Sequence, residues 1–159
     1  MGRPPKPCEA NDFLCQHVAL LRNSLRRWTG RELVDPRMGE REAARFLFNA
    51  PFAVLSHDTS LEPLFNYANQ TALNLFAMDW EGITALPSRK SAEPEKQEER
   101  DRILAEVEAH GFIAGYSGIR IGRHGRRFVI EDAVVWNVAG PGGGPNRGQA
   151  AYFKSWKFL

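Results

Sequence analysis

The chain has 159 residues, 43% hydrophobic and 25% charged, with a net charge of +2, a balance that fits one ordinary globular domain or a domain with an extension. Surface scaling gives roughly 70% burial on folding, no apolar run approaches the roughly 20 residues of a membrane span, and Met1-Gly-Arg-Pro-Pro-Lys-Pro7 lacks the apolar stretch of a secretory signal. Two cysteines, Cys8 and Cys15, make no disulfide framework, which points to a reducing cytoplasm.

The small net charge hides a split. Residues 1–50 carry +3, residues 51–111 carry −6 and residues 112–159 carry +5. An acidic middle between basic flanks is expected to lie against those flanks or against a second subunit. No single basic face of the kind that binds nucleic acid emerges.

In chain order, residues 1–11 read as a proline-rich flexible tail, and residues 12–50 as a helical extension. Asn11 or Asp12 is expected to cap a first helix running to about Trp28. Leu14, Val18, Leu21, Leu25 and Trp28 recur at heptad-like spacing, a seam that covers either its own domain or a homodimer interface. Gly30 stops that helix. Asp35-Pro36 is expected to start a second one, with Ala43, Phe46 and Leu47 inward, ended by Asn49-Ala-Pro51.

Phe52 to Leu55 reads as a buried strand and Leu64 to Ala68 as another, with Phe65 and Tyr67 on one face and Asn66 on the other. Asn69 caps a short helix to Phe76, and Asp79 caps a further turn. Ser91 is expected to cap a longer helix, about Ala92 to Ala109, with Pro94 and the glutamates Glu93, Glu95, Glu98 and Glu99 in its first half. Ile103, Leu104 and Val107 are its inward residues, and Gly111 ends it.

The last third reads as a β-meander. Tyr116 and Arg120 share a face of its first strand. Phe128, Ile130, Val134, Trp136 and Val138 share a parity in the next, interrupted by Asp132. Gly140 to Pro145 is a connector. Gln149 to Phe158 closes the sheet, with Tyr152, Trp156 and Phe158 on one parity. Two strands, several small helices and three antiparallel strands make an α+β domain: one five-stranded sheet with helices over one face, plus two N-terminal helices.

Several separated motifs carry a resemblance. Asn66-Tyr-Ala-Asn69 with Ala72-Leu-Asn-Leu-Phe76 is similar to the strand-to-helix passage of PAS domains. Leu86 to Pro94, Gly118-Ile-Arg-Ile121, Arg126 to Ile130, Val135-Trp-Asn137 and Gly148-Gln-Ala-Ala151 resemble the MEKHLA branch of PAS-like domains, free-standing in bacteria and C-terminal in plant homeodomain–leucine zipper proteins. The likeness covers residues 52–159. It implies a stand-alone sensory and interaction module that binds a small ligand between sheet and helices and pairs with other subunits. No effector segment follows Leu159, so the output is expected to pass to a separate effector protein, and no sequence-specific DNA contact is expected.

The chemistry-bearing residues narrow that role. Cys8 and Cys15 precede the domain, so a cysteinyl–flavin adduct is disfavoured. The long helix places its histidine, His110, at its end, which disfavours haem. Non-covalent flavin or another small ligand stays open as the cofactor. His17, His57, His110 and His124 have no zinc-type spacing. Ser88, Ser91 and Ser117 lack a nucleophile elbow, so no catalytic residue is assigned. The candidate ligand-binding residues are Asn66, Ser88, Arg89, Tyr116, Arg120, Phe128 and Trp136. Arg120 either brings a positive charge into an apolar cavity, favouring an anionic or carbonyl-bearing ligand, or pairs with a carboxylate such as Glu93. A small enzyme using Arg120 and His57, and a purely scaffolding dimer without ligand, are the competing readings.

Overall fold

Val18, Leu21 and Leu25 stand three and four residues apart on one helix face, and all three are fully buried on the chain's own sheet. A computed structural model describes residues 4–93, 96–139 and 144–159. The order of elements is α1 (Cys15–Thr29), α2 (Glu40–Phe48), β1 (Ala53–His57), β2 (Phe65–Ala68), α3 (Gln70–Phe76), α4 (Trp80–Thr84), α5 (Gln97–His110), β3 (Phe112–Ile121), β4 (Arg127–Ala139), β5 (Asn146–Phe153) and β6 (Ser155–Phe158). The sheet is antiparallel, in the order β2-β1-β5-β4-β3, with β6 also on β4. β5 and β6 keep one register along β4, since Val134 faces Tyr152 and Ile130 faces Trp156. They are one bent strand interrupted at Lys154, so the sheet is the expected five-stranded one.

The two N-terminal helices cover one face of that sheet. Beneath them lie Val54, Tyr67, Val134, Trp136, Val138 and Ala150. Of the two expected uses of the seam, its own domain or a homodimer interface, the structure shows the first: its central residues touch no solvent, and Trp28, 36% exposed, donates its indole N–H to the Asn137 carbonyl at 3.0 Å. An amphipathic stripe records that a face is buried, and here the sheet buries it. α1 begins later than expected, because Asp12, Phe13 and Leu14 take left-handed backbone angles ahead of Cys15. Asp35 does not cap a helix; its carboxylate accepts from the Arg37 N–H in a local turn, and α2 starts only at Glu40. Phe46, expected inward, is 42% exposed. Residues 4–11, expected as a tail, lie on the fold: Pro7 is buried and the Pro4 carbonyl accepts from the Trp80 indole at 2.8 Å.

The other face carries α3 and α5. Asn69 caps α3 as expected, accepting from the Ala72 N–H, and Asp79 caps α4 by accepting from the Gly82 N–H. Ser91 sits instead in a short 3-10 turn (Ser88–Ser91), its hydroxyl donating to the Ser88 carbonyl, and α5 starts at Gln97. Pro94, Glu95 and most of the Gly140–Pro145 connector lie outside the described residues.

Two backbone irregularities decide which residues face α3 and α5. Between Ser56 and His57 the β1–β2 register slips by one, so Phe65 joins the cluster under α3 while Tyr67 joins the one under α1. At Asp132, φ is +52° and the facing of β4 reverses. Phe128 and Ile130 pack under α3, with the Phe76 and Phe128 rings 5.0 Å apart, whereas Val134, Trp136 and Val138 pack under α1. The shared parity expected of these five residues ends at that kink. The same reversal separates Tyr152, beneath α1, from Trp156.

Candidate functional site

Between α5 and the sheet lies a cavity of about 70 Å³. Its walls are mostly apolar: Phe65, Phe76, Ile103, Leu104, Ile130 and Phe153 all line it. Into this space come the polar side chains of Arg100, Arg120, Tyr116, His57 and Gln149. An outer cleft of about 420 Å³, reaching from the loop after β1 across α5, shares His57, Arg100, Leu104 and Gln149 with the cavity. Those four side chains stand between the outer cleft and the interior.

α5 is held to the sheet by two amides. The Asn137 side chain donates to the carbonyls of Val107 at 3.0 Å and Glu108 at 3.3 Å. Gln149 donates to the Leu104 carbonyl at 2.8 Å and to the Asn137 amide oxygen at 3.3 Å. Buried amides find such partners because an unmade hydrogen bond there costs the full desolvation of the group. Both anchors grip the C-terminal half of α5; its N-terminal half brings Arg100 over the cavity.

Arg100 is buried, with 6% of its surface exposed. It donates to the Ser88 hydroxyl at 2.8 Å, and its nearest carboxylate, on half-exposed Asp101, is 3.6 Å away. Burial, followed by repulsion from Arg120, lowers its pKa to about 10, which leaves it charged at neutral pH. Arg120 donates to the Tyr116 hydroxyl at 3.0 Å and to its neighbour's carbonyl, Ile119, at 2.9 Å. Among the described residues it forms no ion pair. Glu93, its expected alternative partner, pairs with Arg127 instead. His57 hydrogen-bonds the Asp58 carbonyl through Nδ1 at 2.9 Å, so that nitrogen carries the proton; Nε2 is a buried acceptor with no hydrogen-bond donor within reach among the described residues. Burial foremost lowers the His57 pKa, and the Arg100 charge adds to this.

Of the residues expected to bind ligand, the structure brings Tyr116 and Arg120 to the cavity wall. Ser88 stands behind Arg100 as its hydrogen-bond acceptor. Phe128 packs beneath Phe76 rather than on the cavity surface. Arg89 lines the outer cleft, 3.7 Å from Asp101. Two lie elsewhere. Asn66 accepts from the Ser56 hydroxyl, which in turn accepts from His17 Nε2–H of α1; the register slip before it turns it toward that layer. Trp136 is fully buried under α1, donating to the Ser24 hydroxyl at 3.0 Å, because the Asp132 kink reverses its strand. Arg100, His57 and Gln149 were not among the ligand-binding residues expected from sequence. Arg100 hides within a run of charges, but it precedes Ile103, Leu104 and Val107 by three, four and seven residues, the spacing of one helix face.

The space limits what the site holds as it stands. A cavity of about 70 Å³ is several-fold below the roughly 300–1,000 Å³ of sites for drug-sized ligands, so these walls do not fit a flavin ring system. No cysteine lines the cavity; Cys8 is exposed and Cys15 opens α1. Among the described residues, no three His, Cys, Asp or Glu side chains gather as a metal site, and no helix is long and apolar enough to cross a membrane.

The fold is that of PAS and light-oxygen-voltage domains. A PAS domain from Colwellia psychrerythraea superimposes with a TM-score of 0.58 at 15% identity, covering 69% of this chain and 90% of its own. A light-oxygen-voltage domain studied with a flavin analogue gives 0.57 at 14% identity, covering 73% and 83%. The light-state dimer of the fungal blue-light photoreceptor Vivid gives 0.56 at 11% identity, covering 86% and 90%. Within this fold the chain belongs to the MEKHLA domain family, whose pattern it matches over residues 15–158. The match starts at α1, well ahead of residue 52. No curated protein matches the chain.

Proposed function

We propose that this protein is a non-catalytic sensory module that binds a small ligand in the cavity between α5 and the sheet and signals by association with another protein. The observation that carries this reading is the cavity itself: an apolar space, beside a surface cleft, which two arginines and a histidine line. Apolar walls with a few converging polar groups are the usual form of a small-molecule site. A core serving stability alone gains nothing from buried charges whose desolvation is poorly offset.

Asn137 supplies a route outward. Its side chain holds α5 and its carbonyl accepts from Trp28 of α1, so one residue bonds elements on both faces of the sheet. A ligand that shifts Arg100 moves α5 against this anchor and thereby biases α1. Association through the outer surface of α1 and α2, where Trp28 and Phe46 are partly exposed, is the form of output that fits, in place of a seam between two α1 helices.

The test is fragment screening by two-dimensional amide NMR on the full chain, beside native mass spectrometry of the freshly purified protein. Small molecules should shift amides of β3, α5 and β5, and Ala151→Leu, which fills the cavity, should abolish those shifts while the protein stays folded. An absence of any shift at these strands across the screen, with no small molecule retained on purification, would overturn the reading.

A further inference from the structure

We propose, on the basis of that ligand-binding reading, that the cavity takes a small monocarboxylate with a short apolar tail, its acid group held between Arg100 and Arg120. The argument begins with charge. Arg100 and Arg120 line the same small space. Arg100 is buried, with one neutral acceptor and a half-exposed aspartate at 3.6 Å. Arg120 is held by a phenol and a backbone carbonyl, neither of which carries charge. Two guanidinium groups face one apolar volume, and burial first and their mutual repulsion second work against the Arg100 charge. A bound anion relieves both, and a carboxylate matches the planar fork of arginine donors.

Size and polarity narrow the class further. At about 10–15 Å³ for each water-sized occupant, 70 Å³ admits about five to seven non-hydrogen atoms. Phe65, Phe76, Ile130 and Phe153 line the space beyond the arginines, so the part of the ligand away from the acid is hydrocarbon. A phosphate or sulfate satisfies the charge and leaves that apolar wall without a partner. His57 Nε2, a buried acceptor of a residue that lines both the cavity and the outer cleft, favours a ligand that presents a hydroxyl there over a second carboxylate.

The experiment is calorimetric and NMR titration of the full chain with butyrate, its uncharged isostere butyramide, and inorganic phosphate. Butyrate should bind at the cavity amides about ten- to hundredfold more tightly than butyramide, the margin of a charge-assisted pair, and more tightly than phosphate. Arg120→Gln should lose that preference. Arg100→Met, which removes a buried charge, should lose it too while raising the melting temperature of the ligand-free protein. Equal binding of butyrate and butyramide, or unchanged butyrate affinity in a folded Arg120→Gln protein, would overturn the anion assignment and leave the ligand-binding reading standing. Tighter binding of phosphate than of butyrate would overturn the apolar tail. Failure of every molecule at the cavity, with Ala151→Leu indistinguishable from the parent, strikes the ligand-binding reading itself.

Discussion

Asn69 shows how much one side chain decides. It is fully buried, accepts from the N–H groups of Val54 and Ala72, both at 3.1 Å, and donates to the carbonyls of Leu47 at 3.0 Å and Phe52 at 2.7 Å. It thus ties α2, β1 and α3 together at one point. Asn69→Ala should cost about 2–4 kcal/mol in urea denaturation, since each orphaned buried group carries its own desolvation cost. Asn69→Asp, which keeps the cap but turns a carboxylate toward two carbonyls, should fare no better. His17 makes one of the pH-dependent contributions. Burial lowers its pKa to about 4. Between pH about 6.5 and 4 the unfolded chain takes up a proton that the folded chain refuses, so stability is lost as pH falls through that window, by up to about 3 kcal/mol at pH 4. Above pH 6.5 the contribution is flat. Denaturation midpoints between pH 4 and 7 check this: His17→Gln, which keeps a donor toward Ser56, should make the curve less steep, and an unchanged slope would contradict the assignment.

Among the elements, α1 separates what sequence discloses from what it does not. Its stripe and its stop at Gly30 are legible from residue spacing, whereas Arg22, which shares the wet face with Arg26 and Arg27 by spacing, is buried. What the stripe packs against is not, because a helix face looks the same to its own sheet as to a second subunit. Leu21→Ala should cost about 2–5 kcal/mol, equally at low and high protein concentration, as measured by thermal unfolding; a loss that grows on dilution would restore the dimer seam. Strand faces were harder to read. Alternation assumes an unbroken pleat, and both the slip at Asn66 and the left-handed Asp132 break it, which is why Asn66 and Trp136 point away from the cavity. Gly148 marks the other close approach: its φ is +143°, and a Cβ there would stand 1.9 Å from the His57 carbonyl oxygen. Gly148→Ala should therefore force β5 from β1 at the cavity mouth, lowering the melting temperature and the protection of the Gln149 amide from hydrogen exchange.

Across the whole molecule, the order of strands and helices was readable, and with it the PAS fold and the MEKHLA family. The charge split was informative in another way than expected. Among the ion pairs of the described residues, Arg127–Glu93 alone joins the acidic middle to a basic flank. The charges to which we assign ligand binding are instead two arginines at the cavity wall. They were half visible: Arg120 through its place beside Tyr116, Arg100 only once helix periodicity was followed through a charged run. Sheet and α5 together enclose the space, α1 and α2 seal the opposite face, and Asn137 bonds to both. The most direct test is a high-resolution crystal structure of the protein purified from its host without added ligand. The account predicts density for a small organic acid between Arg100 and Arg120, with α5 seated on Asn137 and Gln149. A cavity filled by its own apolar side chains, with both guanidinium groups turned out to solvent, would contradict it.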